Sequence, residues 1–153
     1  MKNQIKHVWS ILAQSSTTDS VTNLFSLTNT IDELTVNFNP KDIKSDQKDA
    51  QIAVPVSFQI VTLWKRNNNL DFELKNQVRI SLIDPKGKEL QKIEYPMVIP
   101  ADKMRMRFIT PVNGLNVTTS GEYRFVIMIK ELGQATFKQE AEVPIDVVIN
   151  KSN

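Results

Sequence analysis

The chain has 153 residues, enough for one domain with its own hydrophobic core, and its 24% of charged residues is an ordinary globular content. The 19 Lys and Arg against 17 Asp and Glu give a formal charge of +2, too small for the sustained positive field of a dedicated nucleic-acid binder. There is no cysteine, which excludes disulfides, zinc–thiolate sites and thiol nucleophiles. A single domain over residues 1–153 is therefore expected.

The N-terminal residues show no secretory signal. Lys6, His7, Ser10 and Gln14 interrupt the apolar stretch that a signal peptide would need. The apolar runs of the chain are also far shorter than the roughly 20 residues with which a helix crosses a bilayer. We therefore expect a cytoplasmic protein that does not associate with a membrane.

Alternation of apolar and polar side chains predicts a series of short β-strands from the N-terminus onwards. The first strand is predicted at residues 6–14, with apolar residues on both faces, so that part of it is expected to be covered on both sides. The polar residues 15–20 are expected to form a turn, because short polar side chains bond their own backbone. Residues 24–27 and 31–38 alternate again and are expected to continue as a hairpin-like meander.

A long polar loop is predicted at residues 39–51, where lysines and aspartates surround Ile43 as the main apolar residue. Residues 54–65 resume the strand pattern, with Phe58 and Ile60 among the side chains expected on the inner face. Pro55 stands at the start of this strand, where a missing N–H is tolerable.

The segment Asp84-Pro85-Lys86-Gly87 predicts a tight turn between two strands. Proline is preset for the second position of a type I turn, and glycine can take a positive φ. The two flanking segments are therefore expected to form a hairpin. Val78, Ile80 and Leu82 stand at alternate positions of its first arm, and Leu90, Ile93 and Tyr95 are expected to run back along the second arm.

Residues 104–108 alternate large apolar side chains with arginines. Met104, Met106 and Phe108 are expected to face inward, which places Arg105 and Arg107 on a solvated face. The Pro-Val-Asn-Gly sequence at residues 111–114 is expected to break this strand.

Residues 121–130 have the strongest strand pattern, because every second side chain from Tyr123 to Ile129 is apolar behind Gly121. A turn at residues 131–135 leads to a last strand that carries apolar residues at alternate positions. Roughly seven to nine short strands without a convincing amphipathic helix predict an all-β fold, a single antiparallel β-sandwich. A closed barrel is the alternative.

The segments at residues 82–90, 113–115 and 121–125 follow one another in an order that resembles an uncharacterised family of small bacterial proteins. Residues 23–27 and 31–34 are similar to the N-terminal signature of that family. The resemblance covers nearly the whole chain and implies an N-terminal hairpin followed by an immunoglobulin-like sandwich, with no activity assigned. The position of Tyr123 also resembles the tyrosine corner of such folds, in which the phenol bonds backbone at a strand crossing.

Groups for catalysis or metal binding are scarce in the sequence. His7 is the only histidine, which disfavours a Ser-His-Asp triad and a zinc site of several imidazoles. Asp42, Asp46 and Asp49 lack the spacing and the turn glycine of an EF-hand loop, and lysines lie between them. We therefore expect a protein that is not an enzyme, with no catalytic residues, metal or cofactor.

Four arginines occupy polar positions of the predicted strands, namely Arg79, Arg105, Arg107 and Arg124. If their strands lie in one sheet, the guanidinium groups form a basic stripe that can bind phosphate or an acidic protein surface. The alternative is that each arginine pairs with a glutamate across strands and contributes about 0.2–1 kcal/mol.

Two functions are expected from these features. The leading hypothesis is a non-enzymatic protein-binding or scaffolding module that recognises another protein through an exposed sheet edge or its long loops, with self-association as one form of this. The alternative is a phosphate-rich ligand or a nucleic acid bound by the arginine-bearing face, with an affinity that falls steeply as salt rises.

Overall fold

The structure is a computed structural model that describes residues 4–39, 51–67 and 71–151. This part of the chain contains nine strands, β1 (Ile5–Thr18), β2 (Phe25–Thr30), β3 (Glu33–Phe38), β4 (Ile52–Arg66), β5 (Leu74–Ile83), β6 (Glu89–Ile99), β7 (Arg105–Val117), β8 (Gly121–Glu131) and β9 (Lys138–Lys151). Sheet A has the strand order β2-β1-β4-β7, and sheet B has the order β3-β9-β8-β5-β6.

The two sheets pack face to face around one core of alternating apolar side chains. Trp64 of β4 and Tyr123 of β8 are among the largest side chains that are fully buried there. The predicted sandwich is therefore confirmed, and the alternative of a closed barrel is wrong. All pairings are antiparallel except that of β3 with β9, which is parallel.

Strand β8 has the buried face that its alternation predicts. The Tyr123 hydroxyl accepts hydrogen bonds from the backbone N–H groups of Thr118 (2.8 Å) and Thr119 (3.1 Å) and donates to the Thr119 carbonyl (2.6 Å). This geometry confirms the tyrosine corner. Gly121 has φ +147°, and a Cβ there would lie 2.8 Å from Cγ of Pro85, so no larger residue fits between the corner and the β5–β6 turn.

The β5–β6 hairpin is also confirmed, with Asp84 at the centre of its turn. One carboxylate oxygen of Asp84 accepts the backbone N–H groups of Lys86 (2.9 Å) and Lys88 (2.8 Å), and the other accepts the Thr118 hydroxyl (3.0 Å). Burial raises the pKa of Asp84, but these hydrogen bonds lower it by more, so the pKa lies below its ordinary value. The carboxylate thereby ties the hairpin turn to the end of β7.

The N-terminal segments depart from the predicted meander. Strand β1 continues to Thr18, and the turn lies at Asp19, whose carboxylate accepts the N–H groups of Val21 and Thr22. Strand β3 does not pair with β2 but joins sheet B. The chain crosses between the sheets at residues 31–32, where the Ile31 N–H binds β1 and the next carbonyl binds β9.

Strand β7 runs through the Pro-Val-Asn-Gly sequence, so the predicted break is wrong. Pro111 is tolerated because β7 is the outer strand of sheet A, and Gly114 takes φ +94° beside an irregularity in its pairing with β4. Met104 precedes the strand and is 44% exposed, so its predicted inward orientation is also wrong.

The predicted loop at residues 39–51 lies outside the described residues apart from its two ends, and Asp42, Asp46 and Asp49 lie outside them as well. Among the described residues, no helix has the length and hydropathy that a membrane crossing requires.

Candidate functional site

The four arginines of the predicted stripe lie on two different sheets. Arg79 and Arg124 project from sheet B, where they form ion pairs with Glu94 (2.7 Å) and Glu142 (3.0 Å). For these two residues the glutamate-paired alternative is confirmed. Because β7 belongs to sheet A, Arg105 and Arg107 are separated from them, and a single stripe of four arginines is wrong.

Lysines of the neighbouring strands complete a different basic surface around the β7 arginines. In the register of sheet A, Lys6 of β1 lies opposite Lys65 of β4, and Lys65 lies opposite Arg105 of β7. Directly opposite residues project from the same side of a sheet, and so does Arg107, two residues beyond Arg105. We call these four side chains the cationic face.

Within residues 4–39, 51–67 and 71–151, no acidic side chain pairs with the cationic face. The strands of sheet A contain no Asp or Glu at all, and none of the ion pairs between described residues involves a side chain of this face. Like charges directly opposite each other destabilise a sheet. This repulsion therefore lowers the stability of the free protein, and an external anion that binds to the face can offset it.

The N-terminal hairpin bends over this side of sheet A. Strand β1 pairs with β4 up to Ala13 and only with β2 beyond it, so residues 14–30 form a hairpin arm that leaves the plane of the sheet. The Arg107 guanidinium carbon lies 4.4 Å from the centre of the Phe25 ring, although two strands separate β2 from β7 in the sheet order. This contact places the arm across the outer side of sheet A.

A groove of about 520 Å³ lies between the arm and the sheet. Its charged lining comes from Lys103, Arg105 and Arg107, while Phe25, Leu63 and Ile109 supply apolar surface. Asn23 of the arm also lines it, and its side-chain oxygen accepts a long hydrogen bond (3.5 Å) from Arg107.

Exposed apolar side chains lie in the lining of the groove or next to its lining residues in the sequence. Ile109 in its lining is 47% exposed, and Met104, which lies between two of the cationic lining residues, is 44% exposed. Leu24 of the arm is 69% exposed. Arginine and methionine are enriched in protein-binding surfaces, which agrees with Arg105, Arg107 and Met104 at this position.

The outer edge of β7 is covered over only part of its length. Two residues of β6 make hydrogen bonds with β7. The Gln91 side-chain oxygen accepts the Asn116 N–H (2.8 Å), and the Tyr95 hydroxyl accepts the Thr110 hydroxyl (3.0 Å). Among the described residues, no hydrogen bond links the backbone of residues 105–109 to any group outside β4. Within the part of the chain that the structure describes, the arginine-bearing half of β7 is thus an open sheet edge.

The geometry around His7 is that of a structural residue. Its Nε2 lies 2.6 Å from the Ser10 hydroxyl, and its ring meets Trp64 edge-on at 5.3 Å between centroids. Burial lowers the pKa of His7, and a backbone hydrogen bond with Trp9 opposes this only in part. In the described part of the chain, no group of three or more His, Cys, Asp or Glu could hold a metal ion.

Sequence reasoning identified Arg105 and Arg107 but missed Lys6 and Lys65. Two lysines on distant strands become neighbours only through the register of sheet A. One signal was available, since the sequence contains no Asp or Glu from residue 50 to residue 70 or from residue 103 to residue 121.

A family of unknown function, DUF6941, matches residues 46–147, which is most of the chain. This confirms the resemblance to an uncharacterised family, although the N-terminal signature lies outside the matched residues. No curated protein matches the chain. Among solved structures, a β-glucuronidase of glycoside hydrolase family 2 is similar over 65% of this chain, with 16% identity and a TM-score of 0.38. The chain spans only 11% of that protein, and a similarity at this level says nothing about its function.

Proposed function

The chain belongs to the DUF6941 family, and we propose that it is a non-enzymatic module that binds another protein through the cationic face. The observation that carries the proposal is the row of Lys6, Lys65 and Arg105 across an acid-free sheet. These charges repel one another in the free protein, and the carboxylates of an acidic partner would neutralise them.

A protein partner is favoured because the charges are mixed with exposed apolar side chains. Ile109 and Met104 would gain contacts from apolar side chains of a partner protein, whereas a phosphate backbone offers them none. The arm narrows access to the groove from one side, which suits a single extended chain better than a double helix. The net charge of +2 also favours a local protein contact over general nucleic-acid binding.

The test measures binding of a fluorescein-labelled peptide of alternating Glu and Thr by fluorescence anisotropy. Lys65→Glu and Arg105→Glu should each weaken binding by about tenfold or more, because each turns an attraction into a repulsion. Lys92→Glu is the matched control, since Lys92 is an exposed strand lysine of sheet B. Equal binding by all three variants, or no binding by the wild type, would overturn the proposal.

A phosphate-rich ligand or a nucleic acid is the second candidate, favoured by the two arginines of the face. Arg105 and Arg107 present planar guanidinium groups that match phosphate as well as carboxylate geometry. Labelled oligo(dT) and inorganic polyphosphate are therefore titrated beside the acidic peptide over the same salt series. Tighter binding of either polyanion, with affinity falling steeply between about 50 and 200 mM salt, would favour this candidate over the protein partner.

A further inference from the structure

We propose that the partner adds an extended strand to the open edge of β7, with carboxylates opposite Arg105 and Arg107 and an apolar side chain opposite Ile109. The inference rests on the proposed function and specifies the shape and side-chain pattern of the ligand. It also chooses between the two modes of protein recognition expected from the sequence, a sheet edge and a loop.

The first support is the state of the edge itself. Strand β7 ends the order of sheet A, and the hydrogen bonds that it receives from Gln91 and Tyr95 of β6 are with Asn116 and Thr110, outside residues 105–109. An edge strand presents unpaired N–H and C=O groups, and an added strand satisfies them. The stretch is long enough for several ladder hydrogen bonds.

The second support is the spacing of the side chains. Arg105, Arg107 and Ile109 stand at alternate positions of one strand, so neighbours in this row are about 6.8 Å apart on one face. A second extended strand has the same repeat, and its alternate side chains would lie directly opposite the three. Opposite charges at such cross-strand positions are favourable. A helix already pairs its own backbone N–H and C=O groups, so it could not bond the edge of β7 in this way.

The third support is the partial burial of the apolar position. Ile109 lies opposite Val61, which is fully buried, yet Ile109 itself is 47% exposed because no strand follows β7. An apolar side chain on an added strand would cover the exposed part of Ile109. The preferred ligand therefore combines two carboxylates with one apolar residue at alternate positions.

The charge of the edge also argues against a second copy of this chain as the occupant. Two β7 edges side by side would bring arginines towards arginines, and outward charges are a common means by which proteins prevent edge-to-edge association. An acidic strand meets no such repulsion. The edge is thus selective for the complementary charge.

The experiment uses the full chain and a labelled peptide that contains the segment Ile-Thr-Glu-Thr-Glu once, compared with two backbone-methylated forms. One form carries N-methyl groups on the Thr residues and the other on the Glu and Ile residues. In an added strand only alternate N–H groups face β7, so one methylated peptide should bind about tenfold or more weakly and the other nearly normally. A scrambled peptide with adjacent Glu residues controls for net charge and should also bind more weakly.

Hydrogen exchange provides a second readout that does not depend on peptide design. On binding of the unmodified peptide, amides within residues 105–109 should exchange more slowly, while those of β6 should not change. Chain association on peptide addition, detected by light scattering, would point instead to a second copy and would overturn the inference.

The failures of the two proposals can be told apart. If the unmodified peptide does not bind, both proposals are wrong. If it binds and loses affinity with Arg105→Glu, but both methylated forms and the scrambled peptide bind equally well, the cationic face is a binding site and strand addition is wrong.

Discussion

The outer faces of the two sheets differ in how their basic side chains are paired. On sheet B, Arg79 and Arg124 each meet a glutamate of a neighbouring strand. On sheet A, Lys65 meets a basic residue on both sides, and no strand of the sheet carries an acid. Among the described residues, the sandwich therefore has one outer face on which these arginines are paired with glutamates and one on which the basic residues face each other without an acid.

This difference indicates which outer face is the better candidate for a binding site. Paired charges keep a surface soluble at little cost to folding, since exposed pairs contribute about 0.2–1 kcal/mol each. A row of like charges lowers stability and has no structural benefit within the described residues. The unpaired face is therefore the one that a binding role would explain.

The largest effect on stability is expected from two substitutions, one that turns an ion pair of sheet B into a repulsion and one that places an acid among the basic residues of sheet A. Arg124→Glu replaces an ion pair with Glu142 by a repulsion and should lower the free energy of unfolding by about 1 kcal/mol. Lys65→Glu instead places an acid between Lys6 and Arg105 and should raise it by about 0.5–1 kcal/mol. Urea unfolding at low ionic strength measures both.

The two variants check each other, because both convert a basic strand residue into glutamate. A loss of stability in Lys65→Glu comparable to that in Arg124→Glu would mean that the faces do not differ. If Lys65→Glu is more stable than the wild type but binds the peptide less well, Lys65 favours binding and lowers the stability of the folded protein.

A smaller effect is expected where aromatic rings contact the cations of each face. Phe25→Leu removes the ring beneath Arg107 and should weaken the seating of the arm by about 0.5–1 kcal/mol. Since an isolated hairpin is marginal in water, exchange of the β1–β2 amides beyond Ala13 should become faster. The control is Phe137→Leu, because the Phe137 ring contacts Arg79 at 4.1 Å on the other sheet.

Unchanged exchange in Phe25→Leu would show that the Arg107 contact does not hold the arm. Faster arm exchange in Phe137→Leu would show that the effect is not local. Either result would contradict the view that the contact between Phe25 and Arg107 holds the arm on sheet A.

Local sequence signals were sufficient for much of the fold. The β5–β6 hairpin and β8 were predicted because the Asp84 turn, the alternation and Gly121 are contained within short stretches. The partner of β3 and the continuation of β7 past Pro111 were not predicted, because both depend on distant strands. Proline is tolerated only once β7 is known to be an outer strand.

The same division holds for the candidate site. Arg105 and Arg107 could be selected from one segment, because their alternation with apolar residues places them on an outer face. Arg79 is paired with Glu94 of the next strand. Because the two strands form a hairpin, the predicted position of the turn could suggest this pair. The contribution of Lys65 depends on register across three strands, and a single sequence does not contain that information.

Salt should act on the two faces in opposite directions, by about 0.3 kcal/mol for each interaction. Added NaCl screens the repulsion around Lys65 and weakens the pairs of Arg79 and Arg124. Comparing the salt dependence of Lys65→Gln with that of Arg124→Gln separates the two contributions. Lys65→Gln should gain less stability from salt than the wild type, and Arg124→Gln should gain more. If stability changed with NaCl concentration equally in both variants and the wild type, the proposed repulsion around Lys65 in sheet A would be contradicted.

The smallest effect concerns His7 and is a loss of stability towards mildly acidic pH. Burial lowers the pKa of His7 below 6.5, so the folded protein favours the neutral imidazole. Its contribution is fully present above about pH 6.5, the ordinary histidine pKa, and is lost as the pH falls through the lower pKa of the folded state. Unfolding measured from pH 8 to pH 5.5 should show this loss, and His7→Gln should reduce it.

Hydrogen exchange can locate the loss, because protonation of His7 would add another positive charge to the acid-free sheet. Amides of the β1–β4 pairing should therefore become less protected at pH 5.5, while those of the β5–β6 hairpin should not change. Equal loss of protection in both regions, or the same loss in His7→Gln, would trace the pH dependence to the carboxylates, none of which lies in a strand of sheet A.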